Sequence, residues 1–384
     1  MSRTLAFMDN VYTRLARRLD RLPAGFPATE DGVELRILER IFSPEDAEMA
    51  LELSPLPEPV GRIARRLGRP PEAMRRTLQA MADKGQIASL RMRSEQHYCL
   101  APFVVGIFEF QLPHMDRELA GLCEAYLPTL VRTLGGSAPA LARVVPVNLS
   151  LTSRPAVLPH EDLRTMVESA GVFRLMDCIC RTEHQLLGTG CDHTREACLA
   201  FARREDAYDE FPTWGRQISR DDALDLLTAA EREGLVHCTY NVVQDPMFVC
   251  NCCSCCCGFL RGIREHGAPH LLVGSSLVAV VDPEACLECG SAADDRCPMD
   301  ALGVDGGPCE VDAERCIGCG VCVAGCTGDA IQLAPRPADA RPEPPPRDIV
   351  RWNLARADAR NGRMYGLGLR AWLAKEMLGR MVRS

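Results

Sequence analysis

Six of the eight residues from Cys250 to Cys257 are cysteines, in the order Cys-Asn-Cys-Cys-Ser-Cys-Cys-Cys. A packed core takes up cysteine singly, as a small buried hydrophobe, so burial alone does not explain this density. Thiols this close together are normally committed to metal ions or to disulfides. Adjacent residues of a strand point to opposite faces, so neighbours such as Cys252 and Cys253 are expected to serve different metal centres.

The composition of the whole chain favours metal ligation over disulfides. The chain has 384 residues and 21 cysteines, whereas secreted disulfide scaffolds are usually short and evenly paired. Residues 1–22 are rich in arginine and lack the apolar core of a secretory signal, and the apolar stretch 271–281 is too short to span a bilayer. We therefore expect a cytoplasmic protein without a transmembrane segment. The net charge of −8 argues against nucleic acid as the main partner.

A second group of thiols lies upstream, at Cys178, Cys180, Cys191 and Cys198. Four thiolates are enough for one [4Fe-4S] cluster. Zinc is the alternative, but structural zinc sites usually use C-x2-4-C pairs, and the C-x-C pair found here is less typical of them. Arg181 follows this pair. It is expected either to donate hydrogen bonds to cluster sulfurs, which raises the reduction potential, or to be an ordinary surface arginine.

The two groups together supply the candidate cofactor ligands of the central part of the chain. These thiols are enough for one or two [4Fe-4S] clusters with some thiols left over, or for one larger cluster. The alternative is that they bind no metal and are redox-active or structural thiols. Three histidines are also candidates, although a lone histidine is more often structural: His184, His193 and His237. The predicted cysteine ligands are Cys178, Cys180, Cys191, Cys198, Cys250, Cys252, Cys253, Cys255, Cys256 and Cys257.

A third pattern has the spacing C-x2-C-x2-C-x3-C, with cysteines at 316, 319, 322 and 326. This spacing is typical of bacterial ferredoxins, in which the fourth cysteine ligates the other cluster of a pair. An earlier pair, Cys286 and Cys289, precedes the first two of these cysteines by thirty residues. Residues 278–334 therefore resemble a two-cluster bacterial ferredoxin. The resemblance implies that one [4Fe-4S] cluster is held by Cys297, Cys316, Cys319 and Cys322.

The other half of this region departs from the ferredoxin pattern. Ala292 stands where the internal symmetry predicts a cysteine, so Cys286, Cys289 and Cys326 provide only three ligands. Such a site can hold a [3Fe-4S] cluster or take a fourth ligand from another residue. It can also be empty or bind zinc. The candidates for a fourth ligand are Asp294, Asp295 and Cys309.

The periodicity and the turn residues predict an α+β protein of several parts. Residues 30–112 have the order helix, tight turn, helix and hairpin, which indicates a winged helix-turn-helix. Within the central part, we expect a helix over 194–203 that carries Cys198, and a strand over 271–281. The predicted parts are an N-terminal helix (1–29), the winged-helix-like domain (30–112), an α/β cysteine-rich domain (113–277), the ferredoxin-like domain (278–334), a Pro-rich linker (335–347) and a C-terminal amphipathic helix (348–384).

The winged-helix-like domain admits two interpretations. Arg75 and Arg76 lie on the helix that reads DNA in such domains, so DNA binding has to be weighed. The many acidic residues of the segment favour a docking or dimerisation module instead, with a homodimer formed through this domain.

The chain resembles a family of multidomain ferredoxins of anaerobic and metabolically versatile bacteria. The resemblance rests on the order of four features: a winged helix, Cys-Ile-Cys-Arg, Asn-Cys-Cys-Ser-Cys-Cys-Cys-Gly and a ferredoxin tail. The resemblance covers about residues 30–334 and implies electron transfer. No G-x-G-x-x-G unit follows a predicted strand, and no C-x-x-C-H motif occurs, so a nucleotide-binding domain and covalent haem are not indicated.

We expect an iron–sulfur electron-transfer protein that relays low-potential electrons to or from a partner redox protein. One alternative is a reductase whose active cluster lies in the central domain, and another is a redox-sensing regulator that binds DNA. The sequence assigns no catalytic residue.

Overall fold

The computed structural model describes residues 10–92, 95–149, 157–208, 215–290, 296–303 and 307–361. The chain forms two compact units. The first consists of residues 1–133, 206–214 and 353–384, and the second of residues 134–205 and 215–352. Helices and several sheets are both present, so the predicted α+β class is confirmed.

Residues 10–135 contain seven α-helices and three strands among the described residues. The helices are α1 (Val11–Asp20), α2 (Val33–Ile41), α3 (Pro44–Glu52), α4 (Val60–Arg66), α5 (Pro71–Asp83), α6 (Phe108–Phe110) and α7 (Arg117–Gly135). The strands are β1 (Glu58–Pro59), β2 (Ala88–Met92) and β3 (Glu95–Cys99), which form a sheet in the order β1-β3-β2.

Local sequence signals explain these elements. Ser43 precedes α3, and its hydroxyl oxygen accepts a hydrogen bond of 3.1 Å from the backbone N–H of Asp46, which satisfies one free donor of the first turn. One face of α5 buries Met74, Leu78 and Met81, as the spacing predicts. The expected helices and hairpin of this region are confirmed, whereas the assignment of residues 30–112 to a winged-helix domain stays a prediction.

Residues 136–361 contain the remaining elements. The helices are α8 (Leu163–Glu168), α9 (Ile179–Leu187), α10 (Arg220–Glu233), α11 (Gly258–His266), α12 (Val321–Gly325) and α13 (Ile349–Asn361). The strands are β4 (Ala142–Val145), β5 (Val172–Asp177), β6 (Glu196–Ala202), β7 (Arg216–Ile218), β8 (Val236–Tyr240), β9 (Phe248–Cys252), β10 (Leu272–Val273), β11 (Leu277–Val281), β12 (Leu302–Gly303), β13 (Glu310–Val311) and β14 (Ile331–Pro335).

A seven-stranded sheet in the order β10-β4-β8-β9-β6-β5-β7 organises the second unit. All its neighbouring strands are antiparallel except β10 and β4. One face carries large apolar side chains such as Phe173, Leu199 and Val249, which pack against α8 and α10. The opposite face packs against α11 and carries cysteines. Alternation along the strands therefore separates an apolar face from a thiol-bearing face.

Two expectations for this unit need correction. The predicted helix over 194–203 is wrong, because residues 196–202 form β6. Ala, Leu and Arg favour a helix, but pairing with β5 on one side and β9 on the other overrides that local preference. The predicted strand over 271–281 is divided into β10 and β11 by residues 274–276.

The region predicted to resemble a ferredoxin has two small sheets. Strand β11 pairs with β14, and β12 pairs with β13, both antiparallel. Its backbone is joined to the rest of the second unit by the N–H of Val147, which donates to the carbonyl of Cys319 at 2.9 Å. The N–H of Ser275 donates to the carbonyl of Ile317 at 3.0 Å.

The C-terminal helix begins where it was expected. The indole N–H of Trp352, near the start of α13, donates to the carbonyl of Ala140 at 2.8 Å, and its ring packs against Tyr240. The predicted continuation of this helix over 362–384 lies outside the described residues. None of the described helices combines the length and apolar character needed to cross a bilayer.

A buried ion pair positions the connection between β10 and β11. Arg143 and Glu161 are 2% and 0% exposed, and a guanidinium nitrogen of Arg143 lies 2.7 Å from Glu161 Oε1. Glu161 also accepts hydrogen bonds from the N–H of Ser276 at 3.0 Å and from its hydroxyl at 2.5 Å. The carboxylate therefore holds β4 and the segment before β11 together.

We predict that Glu161→Ala lowers the free energy of unfolding by about 3–5 kcal/mol, because it leaves the charge of Arg143 buried and unpaired. The double variant R143M/E161M should lose much less, since it removes both charges. Glu196→Ala, at an exposed pair with Arg216, should cost at most about 1 kcal/mol. Chemical denaturation measures all three, and equal losses for the single and double variants would contradict the pairing.

Candidate metal centres

A row of three thiols crosses the sheet. Cys198 of β6 lies directly opposite Cys250 of β9, which in turn lies opposite Cys238 of β8. Directly paired residues of antiparallel strands share a face, so these thiols project to the same side. Cys252 lies two residues after Cys250 and faces the same way.

Two helix starts bring three more thiols to this face. Cys178 immediately precedes α9, Cys180 lies in its first turn, and Cys257 immediately precedes α11. A helix start carries free N–H groups and a partial positive charge, which stabilise thiolates. Hydrogen bonds with Cys180 and Cys198 hold the pKa of Cys178 well below its ordinary value. The sheet-face group thus consists of Cys178, Cys180, Cys198, Cys238, Cys250, Cys252 and Cys257.

The sequence did not single out Cys238, which is 0% exposed in the middle of β8. The local sequence around Cys238 does not show which residue would lie opposite it in a sheet. Only the pairing of β8 with β9 brings it opposite Cys250. Its side chain contacts Cys252, which lies on the same face.

Four other thiols form a separate group, which we call the turn group: Cys191, Cys253, Cys255 and Cys256. Cys191 lies in the loop after α9, and the others lie in the turn between β9 and α11. The sulfur of Cys191 is 3.9 Å from that of Cys253 and 3.7 Å from that of Cys256. All four sulfurs lie within 4.8 Å of one another, so this group could hold a metal ion.

The structure regroups the predicted upstream set. Cys191 lies with the turn group, whereas Cys178, Cys180 and Cys198 lie on the sheet face. The expectation that Cys252 and Cys253 face different centres agrees with their positions in the two groups.

Arg181 is a buried cation beside both thiol groups. Its side chain is 3% exposed and donates hydrogen bonds to the carbonyls of Thr194 and Asn251. Burial lowers the pKa of Arg181, but the thiolates of Cys178, Cys253 and Cys252 outweigh it and hold the pKa above its ordinary value. The guanidinium therefore stays charged and offsets part of the negative charge of the thiolates.

A cavity lined by four thiols lies in the region with ferredoxin spacing. Its thiol lining is Cys297, Cys316, Cys319 and Cys322, and the remaining walls are apolar. The sulfur of Cys297 accepts a hydrogen bond of 3.2 Å from the N–H of Ala301. Gly318 has a φ of +66°, and a Cβ there would lie 2.1 Å from the carbonyl oxygen of Leu277, so the turn requires glycine. Four converging thiols in an apolar cavity fit an iron–sulfur cluster.

The second half of this region contains a fourth thiol near its three expected ones. The backbone N–H of Cys309 lies 3.4 Å from the sulfur of Cys286. Burial raises the pKa of the Cys309 thiol, and the nearby thiols of Cys286, Cys326 and Cys289 raise it further. The other candidates, Asp294 and Asp295, and the substituted position Ala292 lie outside the described residues.

The three candidate histidines have polar partners away from the sulfurs. His193 Nδ1 lies 3.1 Å from Glu233 Oε1, and His237 Nδ1 lies 2.6 Å from Asn251 Oδ1. His184 contacts the hydroxyl of Thr189 at 3.0 Å. Among the described residues, the one tight group of potential ligand atoms contains cysteines alone.

Comparison with known proteins gives no relative. No family model matches the chain, and neither a curated protein nor a solved structure matches it significantly.

We predict that Arg181→Leu weakens metal binding about 10- to 100-fold, because it removes the cation that compensates both thiol groups. Arg181→Lys should retain more of the binding, since it keeps the charge. The matched control is Arg195→Leu, because Arg195 is 50% exposed and pairs with Asp177. Competition with a chelator measures the affinity, and equal metal loss in the Arg181→Leu and Arg195→Leu variants would contradict the role of Arg181.

Proposed function

We propose that the protein is an iron–sulfur electron-transfer protein that passes low-potential electrons between several clusters and a partner redox protein. The observation that carries this proposal is the convergence of Cys297, Cys316, Cys319 and Cys322 on one cavity. These are the four ligands that the resemblance to bacterial ferredoxins implies. A [4Fe-4S] cluster bound there supplies one-electron redox chemistry.

The packing between the thiol groups supports a relay. Cys319 of the ferredoxin cavity shares one apolar core with Cys238, Cys252 and Cys257 of the sheet-face group. Val147 belongs to the same core and donates its N–H to the carbonyl of Cys319 at 2.9 Å. The residues between the two groups are therefore packed side chains and backbone, a low-dielectric route that suits electron exchange. The sheet-face group would be the central redox centre of this relay.

The part of the ferredoxin-like region that contains Cys286 and Cys289 would be the end of the relay at the protein surface. Cys289 is exposed, and the neighbouring Leu287 is 65% exposed. We propose that Cys309 joins Cys286, Cys289 and Cys326 to complete a [4Fe-4S] cluster there. A cluster near the surface, beside an apolar side chain, would lie close to a docked partner redox protein. Electrons would then pass between the two over a short distance.

Two further parts of the proposal rest on the sequence. The sequence contains 21 cysteines, many in C-x-C and C-x-x-C groups, and such thiols suit metal ligation in the reducing cytoplasm. Residues 30–112 would form a winged-helix-like module used for docking or dimerisation. Arg75, on the helix proposed for DNA contact in the alternative interpretation, lies 3.5 Å from Glu72, a neighbouring acid that makes this face less suited to phosphate.

We predict that Cys319→Ala lowers the iron content of the anaerobically purified protein by about one to four atoms per chain, because a cubane that loses this thiolate releases either the iron it held or the whole cluster. The control is Cys99→Ala, since burial raises the pKa of that thiol to about 12 and keeps it inert. Iron and sulfide analysis with EPR after chemical reduction measures the loss. Total iron of about four atoms or fewer in the unaltered chain would contradict a relay of several clusters.

We predict that Cys309→Ala converts the second ferredoxin cluster from a four-iron to a three-iron form, with a loss of about one iron. The reason is that Cys309 would be the single protein ligand of one iron corner. EPR of the oxidised protein distinguishes the two forms. An unchanged spectrum and iron content would show that another residue is the fourth ligand.

A further inference from the structure

The sulfur spacing of the turn group indicates what kind of metal centre it forms. The sulfur of Cys191 lies 3.9 Å from that of Cys253 and 3.7 Å from that of Cys256. The sulfurs of Cys255 and Cys256 are 3.8 Å apart. A tetrahedral ion with metal–sulfur bonds of about 2.3 Å has sulfur–sulfur edges of about 3.8 Å. The measured spacing therefore matches ligands that share one ion.

The thiols of the ferredoxin cavity are arranged differently. A cubane distributes its four thiolates over four iron atoms, so the sulfurs lie farther apart than around one ion. Cys297, Cys316, Cys319 and Cys322 line one cavity. They do not form a group within 4.8 Å, whereas the turn group does, and it is the one such group among the described residues. One chain thus contains both kinds of spacing.

Packing alone is a poor explanation for the turn group. Cys253 and Cys256 are 3% and 2% exposed, while Cys255 is exposed. Four thiols in mutual contact, one of them open to solvent, would be easily oxidised without a metal. The buried guanidinium of Arg181 lies beside Cys253. The Nε of Arg181 has no hydrogen-bond partner among the described residues.

We propose that Cys191, Cys253, Cys255 and Cys256 bind one zinc ion in a closed tetrahedral site. Four thiolates leave no open position, so the ion has a structural role. It fastens the loop after α9 to the turn between β9 and α11. The same loop is held by Glu233, which accepts a hydrogen bond of 2.6 Å from the N–H of Thr194.

The zinc site would position the sheet-face group. Cys253 directly follows Cys252, and Cys256 directly precedes Cys257, so each pair of neighbours is divided between the two centres. A fixed turn at Cys253 and Cys256 therefore orients Cys252 and Cys257 toward the sheet face. The inference does not depend on the electron-transfer proposal, because the zinc site exchanges no electrons.

The first test is metal analysis of the full chain, purified anaerobically. Cys191→Ala should lose one zinc per chain and keep its iron and sulfide, whereas Cys99→Ala should lose neither. Loss of about four irons with unchanged zinc would overturn the inference in favour of a cubane. Loss of a single iron would also overturn the assignment to zinc.

A second test needs no variant. X-ray absorption at the zinc edge of the unaltered protein should give four sulfur ligands at about 2.3 Å. Nitrogen or oxygen ligands, or a protein without zinc, would overturn the inference. Zinc with four sulfur ligands but no iron elsewhere would support this site and remove the electron-transfer proposal, so the two failures are distinguishable.

Discussion

The mutual repulsion of crowded thiolates is the constraint on which the second unit depends. Six cysteines lie between Cys250 and Cys257, and they are tolerable only if charge is neutralised and neighbours are kept apart. The fold provides both conditions. The end of β9 separates Cys252 on the sheet face from Cys253 in the turn group, and Arg181 places a permanent charge beside both. Two helix starts add further partial positive charge.

The thiol groups and the main apolar core lie on different faces of the seven-stranded sheet. The thiol-bearing face of the sheet is opposite the face that carries Phe173 and Leu199, so metal ligation does not interrupt the main apolar layer. The ferredoxin region packs onto the thiol side, where Cys319 joins the same core as Cys252. The buried pair of Arg143 and Glu161 fixes the segment that leads into that region. The main apolar layer and the thiol groups therefore occupy opposite faces of one sheet.

Part of this arrangement could be predicted from the sequence. The spacing around Cys316 grouped the four thiols that line one cavity, because the motif is local. The helices and hairpin within residues 30–112 were also predicted, because they form from residues that are close in the sequence. What could not be predicted depends on strand pairing. Cys238 gains its significance from lying opposite Cys250.

The position of Cys191 in the turn group also could not be predicted from local sequence. Sequence proximity grouped it with Cys178, but the loop after α9 carries it to the turn after β9. The prediction of a helix around Cys198 was wrong. The composition of this segment favours a helix, but the segment pairs with a strand on each side and therefore forms a strand itself. Local patterns therefore pointed to the cysteines as candidate ligands, whereas their division into two groups required the topology.

The central claim is that the thiols are divided among separate metal centres of different kinds. Anomalous diffraction from anaerobically grown crystals, recorded on both sides of the iron and zinc edges, tests it most directly. The account predicts iron maxima in the ferredoxin cavity and over the sheet face, and one zinc maximum among Cys191, Cys253, Cys255 and Cys256. Zinc in the ferredoxin cavity, or no iron over the sheet face, would contradict it.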